Sequence, residues 1–197
     1  MFGTNCEPNL GEVYMEIGVK SLVAGVLLSS LCVVNTANAK SEKLEQAGDF
    51  LQWGIPTGAA FISAAKFDGE GLGQLIEGAF WTSLSTHVLK VSVNEERPNG
   101  RDYSFPSGHT SAAVQGAAYL QFRYGWQYGV PAYMLSGVVG YSRVENKYHY
   151  WHDVAAGAAL ATAIQYAITE AGFSVTNVAV APTFDGDSIG VYASMKY

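Results

Sequence analysis

The stretch Pro106-Ser107-Gly108-His109-Thr110-Ser111-Ala112-Ala113-Val114-Gln115-Gly116-Ala117-Ala118 carries the reading of the fold. Proline and serine ahead of a glycine and a run of small residues mark a helix start, with Ser107 placed to cap it. Alanine is the best helix former, and a helix built from alanine, serine and glycine lets its neighbours approach closely. The spacing predicts this helix over 107–124. Working outward, four more helical stretches are predicted over about 42–66, 71–93, 127–142 and 149–170, joined by short connections. Short connections favour antiparallel neighbours in one bundle. The end of the chain reads differently. Val175–Ala181 and Ile189–Tyr197 are strand-like, with the turn signal Asp185-Gly186 between them. The expected fold is therefore all-α, a compact bundle of about five helices with a small C-terminal β-hairpin.

The composition agrees with close-packed helices: 49% hydrophobic, 14% charged, with 22 glycines. A formal net charge of −6 leaves no basic field to attract nucleic acid. Against that acidic background, three short clusters gather cations and histidines. Lys90 is followed by Arg97-Pro98; Pro106-Ser107-Gly108-His109 comes next; then Ser142-Arg143, His149 and Asp153. Guanidinium groups match phosphate oxygens two at a time, and lysine adds a point charge. A Pro-Ser-Gly helix start offers backbone N–H groups and the positive end of the helix dipole to an anion. His149 and Asp153 are four apart, so they are expected to share one helical face. A carboxylate so placed fixes the imidazole tautomer and orientation. Taken singly, each piece has a plain structural use: a solvated helix end, a loop, an N-cap, an i,i+4 pair.

Taken together, Lys90-x6-Arg97-Pro98, Pro106-Ser107-Gly108-His109 and Ser142-Arg143-x5-His149-x3-Asp153 resemble the three-part signature of one superfamily. It joins type 2 phosphatidic-acid phosphatases, bacterial acid phosphatases and vanadate haloperoxidases. The resemblance implies a role for each signature residue. His149 would attack phosphorus and become a phosphohistidine, oriented by Asp153. His109 would protonate the leaving oxygen and later deprotonate the attacking water. Lys90, Arg97, Ser107, Gly108 and Arg143 would hold the phosphate oxygens and stabilise their charge. No metal or cofactor is expected, the cations supplying the charge a metal would bring, and vanadate is expected to inhibit. The implied substrates are soluble phosphate monoesters, phosphatidate-like lipids or undecaprenyl pyrophosphate. Two other activities fit the same residues: a vanadate-dependent haloperoxidase, and a non-catalytic phosphate- or phospholipid-binding module. The complete His109, His149 and Asp153 set favours catalysis over mere binding. Lesser candidates are His152 at the mouth, Tyr148, Tyr150 and Trp151 as an apolar wall, Arg101 and Asp102 as substrate contacts, and His87 as a structural residue.

The N-terminus carries an export pattern. Lys20, the apolar run Ser21–Val34 and Ala37-Asn38-Ala39 read as a secretory signal over 1–39, cut before Lys40, with Met15 as the expected true start. The run is short of the ~20 residues a span requires. Both cysteines, Cys6 and Cys32, precede the cut, so the expected domain of 40–197 has no thiol. The expected location is the periplasm, with peripheral membrane contact. An inner-membrane protein whose site faces the periplasm is the second expectation.

Overall fold

A computed structural model describes the backbone of residues 40–185 and 188–195 and the side chains of 42–177. The predicted signal segment lies outside the described residues. Five helices follow one another: α1 Lys40–Ala65, α2 Gly69–Val93, α3 Gly108–Tyr124, α4 Trp126–Glu145 and α5 Trp151–Thr169. A single 3-10 turn over Val175–Asn177 leads into the antiparallel hairpin of β1 Val178–Asp185 and β2 Ser188–Met195. Its register, Val178 opposite Met195 through Asp185 opposite Ser188, begins later than the predicted first strand because the 3-10 turn takes up Val175–Asn177.

The small-residue helix is the centre of the bundle. α3 packs against α1, α2, α4 and α5, and is buried from Thr110 to Leu120 on all but one side position, Ala112. Ala113, Ala117, Ala118 and Tyr119 are fully buried. Its polar residues are satisfied within the bundle. Gln115 Nε2 donates to Leu75 O at 3.1 Å and to Gln165 Oε1 at 2.8 Å, tying α3 to α2 and α5. At the other end, Asp68 accepts from Gly71 N at 2.8 Å, capping α2. The same carboxylate pairs with the Arg123 guanidinium through two bonds of 2.7 Å, which locks the α1–α2 corner to the end of α3. Arg123 holds the Asp68 carboxyl down at about 2.

Two boundaries correct the sequence reading, and both bear on the site. α4 runs on to Glu145, so Ser142 and Arg143 are in its last turn. α5 begins only at Trp151, so His149 lies ahead of the helix and does not share a helical face with Asp153. The reason is local. Asp153 is the third helical residue and accepts the backbone N–H of Tyr150, the N-cap, at 2.9 Å, which ends the helix there.

Among the described residues no helix is long and apolar enough to cross a membrane. The helices are nonetheless not simply buried. α1 exposes Phe50, Trp53 and Phe61, and α2 exposes Ile76, Phe80, Trp81, Val88 and Val91.

Candidate active site

One cavity of about 390 Å³ is lined by Lys90, Arg97, Gly108, His109, Arg143, Tyr148 and His149, with Glu45 and Asp49 opposite. Six of the eight predicted site residues therefore meet in one place, contributed by α2, the loop after it, the start of α3, the end of α4 and the turn before α5. The remaining two, Ser107 and Asp153, are fully buried behind that lining.

Ser107 is the N-cap of α3. Its Oγ accepts from Thr110 N at 3.4 Å and lies 2.9 Å from Thr110 Oγ1, while Gly108 is the part of this turn that faces the cavity. The Ser107 N–H donates to Asp153 O at 3.0 Å, so the turn that opens α3 and the start of α5 are stitched together.

Asp153 is the hub of the buried side. Its Oδ2 accepts from Ser104 Oγ at 2.5 Å and from Tyr150 N at 2.9 Å, and lies 3.3 Å from His149 Nδ1. With Nδ1 turned to the carboxylate, Nε2 is the His149 nitrogen left for chemistry. Burial first, then Lys90 and Arg97, push the His149 imidazolium down to about 4, so the ring is neutral near neutral pH. A neutral, oriented imidazole in a cationic pocket has the chemistry a nucleophile toward an anion would need.

The cations are held by backbone oxygens. Lys90 Nζ donates to Tyr103 O at 2.9 Å and to Ser104 O at 3.2 Å, and an Arg97 terminal nitrogen donates to Tyr103 O at 3.4 Å. Tyr103 sits at φ +62°, a strained conformation for a bulky residue, and its carbonyl is fixed between the two cations. Burial, then Arg97, lowers Lys90 to about 8. Arg143, 4% exposed, is fixed by Ser142 Oγ at 3.0 Å and Glu45 O at 3.0 Å, with its guanidinium over the Tyr148 ring. The three cations around the cavity are thus held in place by the protein itself, the kind of preorganisation that stabilises an anion.

His109 stands on the first turn of α3, 35% exposed, with Nε2 3.2 Å from Asp49 Oδ1. Burial, then Arg143, holds it below its ordinary value of 6.5. Asp49 also lies 2.9 Å from an Arg143 terminal nitrogen, and Glu45 accepts from the Tyr148 hydroxyl at 2.8 Å. These two acids on α1 are the site residues that sequence reasoning missed. No spacing joins them to the three clusters; they reach the cavity because α1 packs against α4. At Gly48 an added Cβ would lie 2.1 Å from Ser142 Oγ, so only glycine permits that approach.

The lesser candidates divide. Tyr148 lines the cavity, whereas Tyr150 and Trp151 are exposed outside it. His152 turns away from the mouth to Glu95, at 2.9 Å, and to Asp153 Oδ1, at 3.2 Å. Glu95, His152 and Asp153 are the one described group with the spacing to hold a metal, but they are already joined to one another and do not line the cavity.

Residues 99–175 match the family model of the PAP2 superfamily, covering the second and third clusters and starting just after Lys90 and Arg97. Over that stretch the chain is similar to the PAP2 superfamily. The chain is 38% identical over 76 residues to a lipid A 1-phosphatase of Porphyromonas gingivalis, covering 36% of this chain and 17% of that protein. It is 33% identical over 75 residues to a lipid A 1-phosphatase of Helicobacter pylori, covering 34% of this chain and 40% of that protein. The chain thus matches well under half the length of either relative. In fold it is similar to the crystal structure of Aquifex aeolicus LpxE, with a TM-score of 0.60 at 17% identity over 79% of this chain and 94% of that one. The PAP2 fold expected from the three clusters is the fold observed.

Proposed function

We propose that the chain is a phosphatase of lipid phosphate monoesters, working through a phosphohistidine at the periplasmic side of a membrane. The observation that carries this is the buried Asp153–His149 pair set against Lys90, Arg97, His109 and Arg143 around a single cavity. The lipid class is supported by the lipid A 1-phosphatase relatives and by the apolar flank that α1 and α2 present.

His149 Nε2 attacks phosphorus, and the bond to the leaving oxygen breaks as His109 delivers a proton to it. Asp153, holding Nδ1, stabilises the positive ring that forms. Lys90, Arg97, Arg143 and the Gly108 N–H take the charge of the equatorial oxygens. Water then attacks the phosphohistidine, His109 accepts its proton, and phosphate leaves. The cations around the cavity supply the neutralisation that bound metals supply in other phosphoryl-transfer sites.

The test is a hydrolysis panel of a soluble aryl phosphate, a phosphatidate and lipid A, with excess EDTA and with vanadate. Lipid monoesters should be preferred, EDTA should have no effect, and vanadate should inhibit. Rapid quenching into alkali should trap a phosphoenzyme in the wild type and none in His149→Ala. Restoration of EDTA-treated protein by magnesium or zinc would overturn the metal-independent mechanism. An adduct surviving in His149→Ala would remove His149 from its role, and bromide oxidation by the vanadate-loaded protein outpacing ester cleavage would reverse the assignment.

A further inference from the structure

An anion-binding cavity that carries two carboxylates on one wall is at odds with its own task, unless those carboxylates face a part of the substrate that is not anionic. Lys90, Arg97 and Arg143 exceed Glu45 and Asp49 by a single charge around the lining. The two acids come from α1 alone, while the cations come from α2, the loop after it and α4.

Their position follows from the chemistry of the proposed function, on which this inference rests. In an in-line displacement the leaving oxygen lies opposite His149, next to the His109 nitrogen that protonates it. Asp49 lies against that ring, its Oδ1 3.2 Å from His109 Nε2. The atom beyond the leaving oxygen therefore comes to rest beside the Asp49 carboxylate. In an ester that atom is a carbon. In a diphosphate it is a second phosphorus with anionic oxygens of its own, and those would sit against Asp49, half-exposed, with Glu45 further along the same helix.

We propose that Asp49 is a specificity-determining residue: it admits phosphate monoesters of neutral alcohols or sugars and rejects diphosphates, whose leaving group is itself a phosphate. A sugar hydroxyl next to the leaving oxygen can donate to the carboxylate, so the acid that repels one leaving group binds the other. Arg143 holds the Asp49 carboxylate in place through the 2.9 Å contact. Undecaprenyl pyrophosphate, one of the substrates expected from sequence, is disfavoured on this ground.

The experiment compares geranyl monophosphate with geranyl diphosphate, reading initial phosphate release and kcat/KM for each with wild type, Asp49→Asn and Asp49→Glu at fixed ionic strength. The wild type should favour the monophosphate. Asp49→Asn should raise the diphosphate-to-monophosphate ratio about tenfold, an effect that shrinks as salt screens the repulsion. Asp49→Glu, which keeps the charge, should stay near the wild-type ratio. Because both substrates are read on one preparation, a general loss of activity in a variant cancels from the ratio. A ratio unmoved by Asp49→Asn, or a wild type that prefers the diphosphate, overturns the inference alone. Cleavage of neither substrate by the wild type overturns the phosphatase reading and this inference with it.

Discussion

The two histidines of the cavity are both lowered, but they are needed in opposite protonation states. His149 must be neutral to attack, and burial with Lys90 and Arg97 puts its loss of a proton at about 4. His109 must be protonated to donate, and burial with Arg143 holds it below 6.5. Activity should therefore rise as the pH climbs through about 4, when His149 becomes neutral, and fall again below the ordinary histidine value, when His109 loses its proton. The expected kcat/KM profile is a bell with an acidic optimum. Lys90, lowered to about 8, removes one of the phosphate-binding charges at still higher pH. With an aryl ester that needs little proton donation, the alkaline limb from His109 should flatten. A profile that keeps climbing to pH 9 on a lipid monoester would contradict these assignments.

At the scale of elements, the site depends on how α5 is seated on the first turn of α3. Gly157 makes that seat, since an added Cβ would lie 2.7 Å from Ser107 O and 2.8 Å from Ser111 Oγ. Those atoms belong to the turn that presents Gly108 and His109, so pressure on them is transmitted to the phosphate. Gly157→Ala should cost roughly 1–3 kcal/mol by overpacking and lower kcat as well. Gly58→Ala is the natural comparison. It lies in α1 with nothing within 4 Å of its added Cβ, and it should gain about 0.5–1 kcal/mol from helix propensity. Urea midpoints and kcat for both variants check this. Equal stability for the two would mean that the α5–α3 contact yields more readily than the distances imply.

For the molecule as a whole, the exposed apolar residues are the feature that close packing leaves unexplained. Phe50 and Trp53 are 71% and 69% exposed, and both follow the cavity-lining Asp49 on the same helix. A lipid surface meeting that flank would bring a membrane-held substrate to the site, and a net charge of −6 means that apolar burial rather than bulk charge would drive the contact. Vesicle co-sedimentation should show binding by the wild type that falls several-fold in the Phe50→Ser, Trp53→Ser double variant. Hydrolysis of a soluble aryl phosphate should persist in that variant. Undiminished vesicle binding would assign the flank to some other contact.

The sequence by itself determined the five helices and the hairpin, and it set out the three clusters, because these depend on short-range regularities. Alanine-rich periodicity, a Ser-Gly helix start and fixed offsets within 90–153 are all local, and the chemistry of Lys, Arg and His toward phosphate needs no coordinates. Even locally, one detail escaped. Asp153 could cap Tyr150 or continue a helix back through His149, and capping prevailed because it satisfies an otherwise unpaired N–H while Ser104 holds the same oxygen. Only the tertiary structure decided that Ser107 Oγ stays in its cap and that α1 brings Asp49 and Glu45 to the cavity. Nothing in the spacing of Asp49 relates it to His109, sixty residues later. Their meeting is a product of helix packing, in which Gly48 lets α1 close on α4, and packing depends on the shape of whole faces rather than on any one stretch of chain.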